Sequence, residues 1–241
     1  MTKIIAHRGF SGKYPENTSL AFEKALELDC DLIELDIHLS KDGELVIIHD
    51  ETLDRTTDGS GWVGENTLAQ LKRLNAAART KHAPQKIITL NEYFALIDNK
   101  NIVTNIEIKS GVVWYKDIEE KMLQTIYDCG FIDKVLISSF NHFSIKRVME
   151  LAPGIPTAFA EESRLVGLAE YAKNHGVAYF HPIFNTLYQE KILESLRESG
   201  IGVNVWTVNE ERDMKNMLEM KVDGIITNFP DKLKKLCEEY S

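Results

Sequence analysis

Short β-branched runs alternate with amphipathic helical stretches eight times along this chain, and that rhythm narrows its possible folds more than any other feature. The runs cover 3–7, 31–36, 102–109, 134–139, 155–160, 177–180, 201–207 and 222–227. Apolar residues recur at three- and four-residue spacing over 17–28, 89–98, 112–129, 141–151, 163–175, 186–199, 209–220 and 231–240. In the first of these the stripe is Leu20, Ala21, Ala25 and Leu28. A strand followed by a helix returns the chain to the end it left, so the strands run parallel. Eight such units in 241 residues predict an α/β fold, a (β/α)8 TIM barrel spanning 1–241 as a single domain. A doubly wound sheet is the competing architecture. No low-complexity segment or linker interrupts the pattern.

One connection departs from it. After Asp36 the chain continues through Ile37–Ser40, then Lys41-Asp42-Gly43-Glu44, then Leu45–Ile48. Asp-Gly between two apolar-alternating runs signals a hairpin. With Asp42-Gly43 as a two-residue loop, Lys41 faces Glu44 and Asp36 faces His49, on one side of the sheet. The next stretch, 51–86, fits neither strand nor barrel helix, apart from a short helix near 67–74. It is expected to be a small insertion after the second strand, over the catalytic end of the barrel.

The candidate chemistry concentrates where the chain enters these elements. His7 ends the first strand, and Arg8-Gly9 turns away from it. Glu34 and Asp36 lie two apart on the second strand and share a face, as Glu107 and Lys109 do on the third barrel strand. Carboxylates facing one another near an axis need a cation or a proton between them. An all-oxygen set of Glu34, Asp36 and Glu107 favours a hard divalent metal, Mg²⁺ or Ca²⁺. Two imidazoles, His7 and His49, can share acid and base work near neutral pH. Arg8 can grip phosphate oxygens and Lys109 can offer a point charge. Asn17 is read as the cap of the first helix. His38 shares the side of Asp36 but is given no role, and His142, His175 and His181 are read as structural or exposed.

Composition limits the partners. The net charge is −9, so a nucleic-acid partner is not expected and a phosphate ligand needs locally placed cations. No apolar run approaches a membrane span, so stable membrane insertion is not expected. Met1-Thr2-Lys3 leads straight into Ile4-Ile5-Ala6-His7, leaving no room for a signal peptide before the first candidate residue. Cys30, Cys129 and Cys237 are widely spaced and read as buried or free thiols in a reducing compartment. Together these point to a cytoplasmic protein.

Ile5-Ala6-His7-Arg8-Gly9, Pro15-Glu16-Asn17-Thr18, Glu34-Leu35-Asp36, His49-Asp50 and Glu107-Ile108-Lys109 together resemble the glycerophosphodiester phosphodiesterase family. The resemblance continues through Ser138-Ser139-Phe140, Trp206-Thr207-Val208-Asn209 and Asp223-Gly224-Ile225-Ile226-Thr227-Asn228, covering the whole chain. It implies metal-dependent hydrolysis of a small-molecule phosphodiester, such as glycerophosphocholine or glycerophosphoethanolamine, to sn-glycerol 3-phosphate and an alcohol. On this resemblance His7 and His49 are the acid–base pair, and Glu34, Asp36 and Glu107 the metal ligands. Arg8 and Lys109 contact phosphate, while Phe140 and Trp206 line the glycerol end. The family often has Asp where this chain has Asn228, which puts a role for that position in doubt. The alternative is a lysophospholipase D-type enzyme on larger lipids; it would want an apolar lip, which the largely polar 51–86 does not offer. A non-enzymatic ligand-binding barrel would lack part of the catalytic set, and a phosphosugar isomerase would want a glycine-rich phosphate loop late in the chain.

Overall fold

The computed structural model describes residues 1–188 and 191–240. Among them, eight parallel strands close into a barrel: β1 (Lys3–His7), β2 (Leu32–Leu39), β4 (Val103–Ile108), β5 (Val135–Ser139), β6 (Thr157–Glu161), β7 (Tyr179–Pro182), β8 (Gly202–Val205) and β9 (Gly224–Thr227). β1 pairs with both β2 and β9, which removes both sheet edges. A further strand, β3 (Leu45–Ile47), runs antiparallel to β2. This is the expected TIM barrel.

Strand alternation sorts the residues. Ile33, Leu35 and Ile37 of β2 are fully buried and belong to the apolar layer between barrel and helices. Ile5, Leu32, Leu136, Ala158 and Ile226 form a separate cluster inside the barrel. Polar side chains occupy inward positions nearer the C-terminal ends of the strands, where loops rather than packing surround them. The outer helices are α1 (Ser19–Glu27), α3 (Leu90–Leu96), α4 (Ile118–Asp128), α5 (His142–Leu151), α6 (Leu168–His175), α7 (Ile192–Glu198), α8 (Glu211–Glu219) and α9 (Pro230–Glu239).

Several helices start later than their apolar spacing suggests. α4 begins at Ile118, not near 112, after Asp117 in a left-handed conformation (φ 61°). α6 begins at Leu168 after left-handed Gly167 (φ 74°). Apolar residues at 112–114 and 165–166 are thereby loop residues, not helix faces. The expected helix over 186–199 resolves into a 3-10 turn, Phe184–Tyr188, and α7; positions 189 and 190 lie outside the described residues.

The hairpin corrects the expected register. Ile37 pairs with Ile47 and Leu39 with Leu45, so the loop is Lys41-Asp42-Gly43, three residues long. Gly43 N–H bonds Ser40 O across the turn, and Gly43 takes φ +83°, the left-handed position that such a three-residue loop requires. Asp36 therefore meets Ile48, whose N–H it receives, and His49 lies one step beyond the ladder.

Residues 51–86 contain α2 (Leu68–Leu71), shorter than the helix expected near 67–74 and capped by Thr67 and Gln70 reciprocally. Leu53, Val63, Leu71 and Ala76 pack with Val46, Ile48 and Ile87 into a second apolar cluster. The segment is thus seated on the hairpin by its own small core.

Candidate active site

β2 and β4 bring three carboxylates together. Their register sets Asp36 beside Glu107, with Glu34 two residues earlier on the same inward face. One oxygen from each of Glu34, Asp36 and Glu107 lies within 4.8 Å of the others. In each residue a protein N–H holds one oxygen. Glu34 Oε2 accepts from Arg8 N (2.8 Å), Asp36 Oδ2 from Asn17 Nδ2 (2.8 Å) and Glu107 Oε1 from Lys109 Nζ (2.9 Å). Glu34 Oε1 is buried without any partner. Burial first, then Asp36 and Glu107, pushes the Glu34 carboxyl well above the usual range. Asp36 is also buried, but Arg8 and then Lys109 overcome that burial and hold its carboxyl low. Three hard oxygen donors, one of them orphaned, suit a divalent cation.

Arg8 sits against this cluster because its backbone is pinned in the left-handed region (φ 55°), with Gly9 following at φ 77°. Its N–H goes to Glu34 and its carbonyl accepts from Asn17 N (3.0 Å). A side chain at Gly9 would collide with the Ala21 backbone 2.7 Å away, so the turn needs glycine. Arg8 Nη1 donates to Glu16 Oε1 (2.9 Å), and Nε lies 3.3 Å from Asp36 Oδ2. Contrary to the reading from sequence, Asn17 does not cap α1; Thr18 does, through its hydroxyl, while left-handed Asn17 (φ 55°) orients Asp36.

The two histidines have different backings. His7 Nδ1 lies 2.6 Å from Asn228 Oδ1, an amide oxygen, so Nδ1 carries the proton and Nε2 faces the carboxylates, 3.9 Å from Glu34. Burial, then Arg8, lowers its pKa to about 3. His49 Nδ1 donates instead to a carboxylate, Asp50 Oδ1 (2.6 Å). Asp50 is held at about 2, against its burial, by Arg55 and His49. Arg55, from the segment 51–86, also donates to both oxygens of Glu16. A chain of charges thus runs from Arg8 through Glu16, Arg55 and Asp50 to His49. On the site side, His49 Nε2 lies 3.2 Å from Lys109 Nζ. Lys109 is buried, yet Glu107 and Asp36 raise its pKa, so it stays an ammonium.

His38, given no role from sequence, is fully buried behind His49. Its Nε2 lies 3.0 Å from His49 O. A carbonyl only accepts, so Nε2 carries the proton and Nδ1 accepts from Tyr115 Oη (2.9 Å). The neutral tautomer is fixed by its partners. His49, one step past the ladder, is held by this side chain where strand pairing has ended.

One cavity of about 100 Å³ collects His7, Arg8, Glu34, His49, Glu107, Phe140 and Trp206. Asp36 and Lys109 adjoin it through the contacts above. Phe140 and Trp206 meet edge to face at 5.2 Å, and Lys109 Nζ lies 5.8 Å from the Phe140 ring. Trp206 is anchored by its indole N–H on His181 O (2.7 Å). A larger depression, about 820 Å³, lies at the opposite end of the barrel and contains none of these residues. All nine expected site residues therefore converge, while Asn17, His38, Asp50, Arg55 and Asn228 complete their surroundings. Asn228 was in doubt from sequence, yet it orients His7. Only its place right after the last strand hinted at that.

The model of the glycerophosphoryl diester phosphodiesterase family matches residues 7–232. A glycerophosphodiester phosphodiesterase of Caldanaerobacter subterraneus subsp. tengcongensis is 44% identical over 234 residues, covering 96% of each chain. One from Bacillus altitudinis is 40% identical and covers 99% of each. Among solved structures, an Oleispira antarctica phosphodiesterase in complex with the product sn-glycerol-3-phosphate superposes with a TM-score of 0.88 at 26% identity, covering 99% of this chain and 97% of that one. With a family match over almost its full length, the chain belongs to the glycerophosphoryl diester phosphodiesterase family and is a phosphoric diester hydrolase.

Proposed function

We propose that this hydrolase cleaves small glycerophosphodiesters, such as glycerophosphocholine or glycerophosphoethanolamine, to sn-glycerol 3-phosphate and an alcohol, with His7 and His49 as the proton-transfer pair. The observation carrying this reading is the single cavity in which two imidazoles flank the cluster of Glu34, Glu107 and Arg8. The product bound to the Oleispira antarctica relative supports the glycerol phosphate end. Glu34, Asp36 and Glu107 would hold Mg²⁺ or Ca²⁺, which supplies charge neutralisation at the phosphoryl oxygens when bound.

The chain's own residues divide the rest. Arg8 and Lys109 bind the phosphate, and Phe140 with Trp206 gives the glycerol carbons an apolar wall. His7, neutral and with its Nε2 lone pair facing the site, takes a proton from the attacking water, whose oxygen bonds to phosphorus as the bond to the departing alcohol breaks. His49 returns a proton to the leaving alkoxide, because the Asp50 carboxylate at its Nδ1 stabilises an imidazolium. Lys109 opposes that charge, but a bound phosphate is a stronger acceptor for its ammonium than an imidazole. The alternative reading, a lysophospholipase D-type reaction on larger lipids, is favoured by one feature. An apolar lip exists after all, built not by 51–86 but by the loops before α4, α5 and α6. We read 1–241 as one domain with 51–86 inserted. Cys30, buried, and Cys129, half-buried, are outside any disulfide, which supports a reducing, cytoplasmic setting.

The deciding experiment assays glycerol 3-phosphate release from glycerophosphocholine after metal depletion. Activity should vanish and return with Mg²⁺ or Ca²⁺. Full turnover without metal would remove the role of the three carboxylates. The division between histidines is read with a p-nitrophenyl phosphodiester. That leaving group needs no proton, so the deficit of His49→Ala should shrink while that of His7→Ala persists.

A further inference from the structure

Three polar side chains on the inner wall of the barrel take no part in the chemistry above. Asn105 lies two residues before Glu107 on the inward face of β4, and Ser138 on β5 is the register partner of Glu107. His181 on β7 pairs with Ala160 of β6. The three are 1%, 1% and 2% exposed. Asn105 Oδ1 and Ser138 Oγ are buried without a hydrogen-bond partner. His181 Nε2 accepts from Asn204 Nδ2 (3.0 Å), and an amide nitrogen only donates, so Nδ1 carries the ring proton. Among the described residues the ring makes no other hydrogen bond.

A buried polar group without a partner costs stability that an apolar residue would not. Here the unpaired groups meet a cavity. Asn105 and His181 both line the catalytic cavity, and Ala160, on a strand between theirs, lines it with only a methyl group. The rest of the barrel interior is filled by Ile5, Leu32, Leu136, Ala158 and Ile226, so the cavity is closed at this end. The chemistry of the unpaired groups selects the occupant. His181 offers a donor, Asn105 an acceptor, and Ser138 either. A hydroxyl gives one hydrogen bond and takes others, so it can satisfy this set. A phosphate or a quaternary ammonium would find no opposite charge here, since burial holds His181 neutral by lowering its pKa to about 3.

We propose that Asn105, Ser138 and His181 form a recognition site for the free terminal hydroxyl of the substrate's glycerol end. The site rests on the glycerophosphodiester reading and deepens it: Phe140 and Trp206 cover the glycerol carbons, and these three groups hold the last oxygen. Trp206 and His181 are already joined, through the indole N–H on His181 O (2.7 Å), so wall and recognition site move together. An acyl ester on that oxygen removes its proton and would drive a chain against the closed end. The site therefore selects deacylated glycerophosphodiesters over lysophospholipids.

The test compares glycerophosphocholine with 2-hydroxypropyl phosphocholine, which keeps the middle hydroxyl and lacks the terminal one, by choline release. The wild type should lose at least ~10²-fold in kcat/KM on the second substrate, because the buried groups are left unpaired. Lysophosphatidylcholine should be cleaved at least ~10²-fold more slowly than glycerophosphocholine. Asn105→Leu and His181→Phe should each shrink the preference for the terminal hydroxyl to below ~10-fold. Ser138→Ala deletes a single oxygen, keeps the packing and should shrink it too. Calorimetry with sn-glycerol 3-phosphate and 2-hydroxypropyl phosphate needs no turnover and should show at least ~10-fold weaker binding of the second. Equal kcat/KM on the two small substrates, a preference retained in all three variants, or lysophosphatidylcholine cleaved as fast as glycerophosphocholine would each overturn the proposal. Preferential binding without choline release would strike the phosphodiesterase reading and leave the recognition site standing. Choline release with no preference in either measurement would strike the site alone, and neither binding nor release would strike both.

Discussion

Asn17, His38 and Asn228 each hold a site residue by one side-chain hydrogen bond: Asp36, the His49 carbonyl and His7. Their effects separate from those of the groups they hold. His7→Ala or His49→Ala removes a proton-transfer group and should lower kcat by ~10²–10⁴, measured as glycerol 3-phosphate release. His38→Leu leaves a buried carbonyl and the Tyr115 hydroxyl unpaired, a cost of about 1–3 kcal/mol in stability. It also frees the backbone of His49, so kcat should fall while KM stays near wild type. His38→Gln can donate to the same carbonyl and should recover most of that activity. Equal activity in the Leu variant would show that His38 only fills space. The residue was missed in the sequence because a buried histidine on an inward face looks the same whether it supports a fold or a neighbour.

At the scale of elements, the hairpin and the segment 51–86 deliver His49. A one-residue change in loop length turns the facing side chains to the other side of the sheet. The three-residue loop depends on Gly43 at φ +83°. Gly43→Ala should therefore cost about 1 kcal/mol, read from urea unfolding. Leu71 is fully buried in the small core that seats 51–86, and Leu71→Ala should cost about 2–4 kcal/mol. Because Arg55 reaches Asp50 and Glu16 from this segment, the same variant should also lose activity more steeply than stability on mild warming. Asp-Gly announced a hairpin correctly. Its loop length was not legible, because Asp-Gly suits two-residue loops and, with glycine last, three-residue loops as well.

For the molecule as a whole, burial inside the barrel sets the response to acid. His181 is fully buried, accepts from Asn204 Nδ2 at 3.0 Å, and is lowered by burial from 6.5 to about 3. The folded state resists a proton that the unfolded chain accepts below 6.5. Stability present above that pH is lost as pH falls toward about 3. The slope approaches ~1.4 kcal/mol per pH unit within the window. Urea midpoints from pH 7 to 4 should fall accordingly, and His181→Gln should flatten the decline by about one proton. An unchanged slope in that variant would assign the acid sensitivity to other groups.

The amino-acid sequence by itself determined the eightfold alternation, the inward faces of β2 and β4, and hence which carboxylates and cations share the barrel axis. Those properties are local, written in periods of two and 3.6 residues. Tertiary structure alone decided the rest. Asn228 meets His7 across 221 residues only because β9 closes against β1. Arg55 links Asp50 to Glu16 only because a small apolar core seats its segment on the hairpin. The apolar lip before α4, α5 and α6 arises where loops from three adjacent strands end side by side. Hydrogen-bond partners and surface patches are set by distances in space, and no spacing along the chain encodes those before the barrel has closed.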